Sequence, residues 1–193
     1  MRFNDLSTPL SFLSTRRSSR PRDLIAPGPS DEELAQILHI AMRVPDHGKL
    51  APWRFVIVGR EQREPLQAML EMAYRIDRPD AGRLEIEAIE QFAQQAPTLI
   101  VALFSPRDSS KIPLWEQQLS AGAVCYNLLA AAHAMGFAGG WVTGWAAYSD
   151  AVRNAFGDTH ERIAGFIFLG SRDGELEERP RPDEEDVVSV WTP

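Results

Sequence analysis

Between Leu119 and Ser149 no aspartate, glutamate, lysine or arginine interrupts the chain. The ionisable side chains there are Cys125, Tyr126, His133 and Tyr148. A helix that is apolar all round has to be buried on most sides, so the rest of the fold must be built around this stretch. It is rich in alanine and broken by Gly122, Asn127, Gly136, Gly139, Gly140 and Gly144. A membrane span needs about 20 predominantly apolar residues, and this composition does not supply them. The pattern predicts a central helix from Leu114 to about Met135, closed by Gly136. A glycine-rich strand or loop follows over 139–144.

Three apolar runs read as strands: FVIV at 55–58, TLIVALF at 98–104 and IAGFIFLG at 163–170. Ser7-Thr8-Pro9 can start a short helix. Ser30 and Glu33 form a capping box, and Leu34, Ile37, Leu38 and Ala41 recur behind it at helical spacing. That helix stops before Pro45, and 44–53 is a loop. Residues 61–94 read as helical with a break near 79–82, and 150–156 as a small helix. The stretch 21–29 is turn-rich. Dominant helices with a few dispersed strands predict one mixed α/β domain over 1–193. The tail, 172–193, is charged and proline-rich but ends VVSVW. A strand-like apolar end needs a cover, and the tail is expected to pack on a partner subunit.

A chain of 193 residues with net charge −7 does not suit general nucleic-acid binding. One cysteine rules out an internal disulfide, and the N-terminus lacks the basic-then-apolar order of a signal peptide. A cytoplasmic protein without membrane attachment is expected. The histidines, at 39, 47, 133 and 160, form no HExxH and there is no CxxC, so no metal site is expected. GxSxG and GxGxxG are absent as well. Cys125, set among alanines, reads as a small apolar residue.

Against this acidic background TRRSSRPR, 15–22, concentrates four arginines. Arginine forks with a neighbouring serine hydroxyl suit a phosphate. Arginines at a helix C-terminus also favour the macrodipole with no ligand at all, and local sequence leaves both readings open. The same holds for Arg43, which ends a helix, and for His47 in a proline-flanked loop.

Several segments in order carry a resemblance: RRSSR at 16–20, AMRVPDHGKLAPWRFVIV at 41–58, KIPLWEQQLSAG at 111–122, AMGFAGGWVTG at 134–144 and GFIFLG at 165–170. Together they resemble the nitroreductase family of flavoproteins, and within it the small YdjA-like branch. The resemblance implies an α+β nitroreductase-like fold, with a central mixed or antiparallel sheet flanked by helices, in a domain-exchanged homodimer with FMN in the subunit interface. It implies that Arg16, Arg17 and Ser18 hold the FMN phosphate and ribityl chain, that Arg43 and His47 reach the flavin, and that Trp141, Val142 and Thr143 line it. The branch has Arg-Ser where this chain has Val142-Thr143, which leaves backbone contacts at Val142. Ala131, Ala132, His133, Ala134, Met135 and Gly136 match a segment implicated in nicotinamide dinucleotide binding, although they also read as the buried end of a core helix. The implied activity is ping-pong hydride transfer from NADH or NADPH through flavin N5 to a nitroaromatic or quinone, with His47 as a proton source. The alternatives are a flavin storage or sensing protein, or a family member doing other flavin chemistry.

Overall fold

A computed structural model describes residues 3–193. The apolar run is a 21-residue helix, α5 (Leu114–Ala134), with Val124, Cys125, Leu128, Leu129 and Ala132 buried. It packs on α2 (Asp31–Ala41), whose N-terminus carries the capping box: Ser30 Oγ accepts from the Glu33 N–H, and the Glu33 carboxylate accepts from the Ser30 N–H. α1 (Pro9–Thr15) starts on a Thr8 cap.

β3 (Thr98–Phe104) lies between β2 (Trp53–Val58) and β5 (Arg162–Arg172). The far side of β5 carries β4 (Ala138–Val142) and, at its end, β1 (Leu24–Ile25). Every pairing among the described residues is antiparallel. β1 falls inside the stretch read as turns: two residues opposite Ser171 and Arg172 are too few to show a period.

β3 is buried on both faces. Leu99, Val101 and Leu103 join Phe166 and Phe168 in one core with Leu66 and Leu70 of α3 (Arg63–Asp77) and Ala93 of α4 (Arg83–Gln94). Ile100 and Ala102 join Ile167 and Leu169 in a second core against α2 and α5. An uninterrupted apolar run is what a two-faced strand requires. The helical stretch between β2 and β3 is thus the α3–α4 hairpin. Buried Arg63 clamps it, donating from Nη1 to the Ala93 and Gln95 carbonyls and from Nη2 to that of Ala96. α6 (Trp145–Tyr148) and α7 (Asp150–Phe156) connect β4 to β5. Among the described residues no helix is long and apolar enough to cross a membrane.

Arg54 of β2 ties the start of β5 through Glu161, donating to its two oxygens at 3.1 and 2.7 Å. The Asp158 N–H adds a third bond. These bonds, the Arg54 pair foremost, hold the buried Glu161 carboxyl at a pKa of about 2, against an ordinary 4.5. A carboxyl depressed in this way stabilises the fold above 4.5 and loses that contribution as pH falls towards 2. Because Arg54 is half-exposed, we expect Glu161→Gln to cost about 2–3 kcal/mol at neutral pH. Thermal melts check this: the gap between wild type and variant should be several degrees at pH 7 and close near pH 2.

The tail follows β5. A short helix, α8 (Glu184–Val187), takes its first apolar residue, and 188–193 has no regular structure. Val187, Val188, Val190 and Trp191 are all exposed. A strand needs an edge to pair with, and within its own chain this segment pairs with none.

Candidate functional site

The arginine segment leaves α1 and is pinned to β4, where the Ser19 N–H donates to the Gly139 carbonyl at 2.9 Å. The two glycines of β4 make this possible. A Cβ on Gly140 would stand 2.5 Å from the Ser19 carbonyl oxygen, and one on Gly139 would meet Leu169 and Leu129. Asn4 holds Arg17 from the other side, accepting from its N–H at 2.8 Å and donating to its carbonyl at 3.1 Å. The Arg16 guanidinium lies 5.6 Å over the Tyr126 ring and donates to Ser18 Oγ at 3.3 Å. Ser19 Oγ is buried with no partner.

The C-terminal tail runs alongside. Arg17 Nε donates to the Glu177 carbonyl at 2.8 Å, and a cavity of about 150 Å³ is left between Arg17, Ser18 and Arg20 on one side and Glu175–Glu177 on the other. Burial lowers the Arg17 pKa first, and the charges of Arg179 and Arg181 lower it further. Four guanidiniums therefore share one corner: Arg16, Arg17, Arg179 and Arg181. In the sequence, RPR at 179–181 within a charged tail was the available signal for the second pair. Arg172 turns to its own strand end and donates to the Gly174 carbonyl.

Trp141, Val142 and Thr143 end the same β4, so they lie beside the arginine segment. Trp141 is partly exposed and donates from Nε1 to the Ala164 carbonyl at 3.0 Å. That carbonyl is available because β5 bulges: Ala102 pairs with Gly165 and Leu103 with Ile163, which leaves Ala164 out of register. Val142 is half-buried and Thr143 exposed.

Arg43 and His47 stand elsewhere, on the loop after α2. Three side chains of α5 grip that loop. Asn127 Nδ2 donates to the Ile40 carbonyl at 2.7 Å, Ser120 Oγ to the Pro45 carbonyl at 2.7 Å, and Glu116 Oε2 meets His47 Nδ1 at 2.6 Å. Glu116 and Tyr126 are ten residues apart on one helix, about 15 Å. One chain therefore spreads the two expected groups along α5 rather than closing them into a single pocket.

The remaining segment is mostly interior. Ala131, Ala132 and His133 are buried, while Ala134 and Gly136 are exposed and Met135 half-buried. The His133 ring stands edge-on to Phe12, and neither of its nitrogens has a hydrogen-bond partner. Burial, then the charge of Arg16, lowers its pKa to about 4, so the ring is neutral at physiological pH. Only 134–136 offers a dinucleotide any surface.

Comparison with known proteins decides what this arrangement belongs to. The profile of the nitroreductase family matches residues 13–171. The chain belongs to the nitroreductase family. Its relatives include a protein of Haemophilus influenzae provisionally named an NAD(P)H nitroreductase, 38% identical over 165 residues, covering 84% of this chain and 87% of the relative. YdjA of Escherichia coli, provisionally named in the same way, is 36% identical over 163 residues with the same coverage. Among solved structures, a nitroreductase-like protein of Bacillus cereus has a TM-score of 0.78 at 20% identity, covering 93% of both chains. NfnB of Sphigopyxis sp. strain HMH, described as an FMN- and NADPH-dependent nitroreductase, has a TM-score of 0.74 at 18% identity, covering 93% of this chain and 97% of its own. In this nitroreductase the matched stretch takes in the arginine segment and ends at Ser171 in β5, so the tail beside Arg17 lies outside it.

Proposed function

We propose that two copies of this nitroreductase hold FMN between them and transfer hydride from NADH or NADPH to an electron-poor acceptor, a nitroaromatic or a quinone. The observation that carries the reading is the guanidinium cluster fixed to β4 beside Trp141. The donor set fits the group. Arg16, Arg17 and Ser18 offer forked and hydroxyl donors to a phosphate dianion, and Ser19 Oγ is a buried polar atom still lacking a partner. Gly139 and Gly140 present backbone without Cβ, which suits close approach of a flat ring. Its named relatives and NfnB support the nicotinamide and the flavin.

When bound, the flavin supplies hydride chemistry at N5. The chain supplies everything else. Arg16 and Arg17 would neutralise the phosphate, Trp141–Thr143 would line the ring pocket, and Arg43 would add positive charge beside it. Ala134–Gly136, the accessible end of the segment, borders the nicotinamide approach. Nicotinamide and acceptor use one face in turn, the ping-pong order. A second copy completes the site by bringing its Arg43 and His47 opposite the first copy's arginines. Two features support that pairing. Trp115, Leu119 and Tyr126 form an uncovered apolar stripe on α5 at spacings of four and seven, and the outer edge of β2 has no partner among the described residues. The VVSVW end suits strand addition to such an edge on a neighbour. A reducing cytoplasm suits a chain whose one thiol, Cys125, is buried and shifted up to about 12.

Anaerobic titration tests the reading. Purified protein should carry or take up FMN, and NADPH or NADH should bleach its absorbance, with a quinone or nitroaromatic restoring it. Protein that takes up no FMN overturns the proposal. FMN that binds and is never reduced makes this a storage or sensing protein instead.

A further inference from the structure

Glu116, Ser120 and Asn127 recur on α5 at spacings of four and seven, so they share one helix face. Each reaches the same short segment: Asn127 the Ile40 carbonyl, Ser120 the Pro45 carbonyl, Glu116 the His47 ring. The first two hold backbone and fix where the loop lies. Glu116 holds a side chain, and it holds one particular atom. A carboxylate only accepts hydrogen bonds, so the 2.6 Å contact puts a proton on His47 Nδ1. Nε2 is then the nitrogen left to exchange protons. A neutral imidazole with no such partner favours its proton on Nε2, which leaves that nitrogen unable to accept one.

We propose that Glu116 is a positioning residue that fixes the Nδ1–H tautomer of His47 and so dedicates Nε2 to proton delivery at the redox site. The inference rests on the flavin reading above. Two-electron reduction of a quinone by hydride consumes one further proton. That proton leaves Nε2 of protonated His47, the ring returns to the neutral Nδ1–H form held by Glu116, and solvent restores the Nε2 proton. Glu116 gives up nothing in this cycle. The WEQ segment is thereby tied to the PDH side chain by Glu116 as well as to its backbone by Ser120.

The test reads the tautomer directly. Full-length protein labelled with 15N-histidine is examined by long-range proton–nitrogen NMR above the titration of the ring, and His47 is assigned with a His47→Gln control. Wild type should show His47 protonated at Nδ1. Glu116→Ala should move the proton to Nε2, and Glu116→Gln, which keeps an acceptor oxygen, should retain it on Nδ1. A merely structural role for Glu116 predicts no tautomer change. Wild type already protonated on Nε2, or Glu116→Ala still protonated on Nδ1, overturns the proposal. In stopped-flow, re-oxidation of the reduced holoenzyme by p-benzoquinone should slow about tenfold in Glu116→Ala, with reduction by NADPH unchanged. Equal slowing of both half-reactions overturns the proton-delivery role. Protein that shows the tautomer shift but takes up no FMN leaves the positioning intact and defeats the flavin reading instead.

Discussion

Replacing Arg16 and Arg17 together with alanine should weaken FMN binding at least about a hundredfold while leaving riboflavin almost unaffected. Hydrogen bonds to a charged group contribute about 1.5–3 kcal/mol each, so losing two such donors removes about 3–6 kcal/mol, or two to four orders of magnitude in affinity. Riboflavin lacks the phosphate and measures only what the ring and ribityl chain contribute. Titration of flavin fluorescence with both ligands separates the terms. The wild-type preference for FMN should also shrink with added salt, because the contacts are partly exposed. Arg16 is also stacked over Tyr126, and Arg17 holds the Glu177 carbonyl, so the variant should show a small loss of thermal stability. Equal losses for FMN and riboflavin would falsify the phosphate assignment, since the damage would then be to the fold or to the ring site.

Removing residues 183–193 should turn the proposed dimer into a monomer at micromolar concentration. Val187, Val188, Val190 and Trp191 are exposed in the isolated chain. Full burial of a large apolar side chain contributes about 1.5–3 kcal/mol, so covering four on a neighbour is worth about 6 kcal/mol before ordering losses. Sedimentation equilibrium reads the change, expected as two or more orders of magnitude in the dimer dissociation constant. FMN retention should fall with it. The deletion spares Glu177, Arg179 and Arg181, so the contacts at Arg17 survive and the effect reports on the interface alone. A truncated chain that dimerises like the full one means that the α5 stripe suffices and the tail end lies elsewhere.

Elements that repeat a pattern over several residues were readable from sequence. The two-faced strand at 98–104, the capping box at Ser30 and the buried helix ending at Gly136 all stand where periodicity and capping put them. The arginine segment and Trp141 do meet, through β4. What escaped detection has no local period. β1 is two residues long and exists only because Ser171 and Arg172 lie opposite it. The grip of Glu116, Ser120 and Asn127 on the His47 loop depends on how α2 and α5 cross, and no spacing within either helix reveals that. The path of the tail past Arg17 is likewise a tertiary fact. The VVSVW end is apolar by composition, but what covers it depends on a neighbouring edge that no local pattern encodes.

β5 pairs with β1, β3 and β4, and it spans Arg162–Arg172, later in the chain than all three. During synthesis, the β2–β3 ladder is the one sheet contact among the described residues that can form before β5 has been made. Leu99, Val101 and Leu103 then wait without Phe166 and Phe168 to cover them. Long-range pairing of this kind slows folding and lengthens the exposure of sticky surface. Chaperone dependence and growth temperature should therefore govern the yield of this protein more than its final stability does.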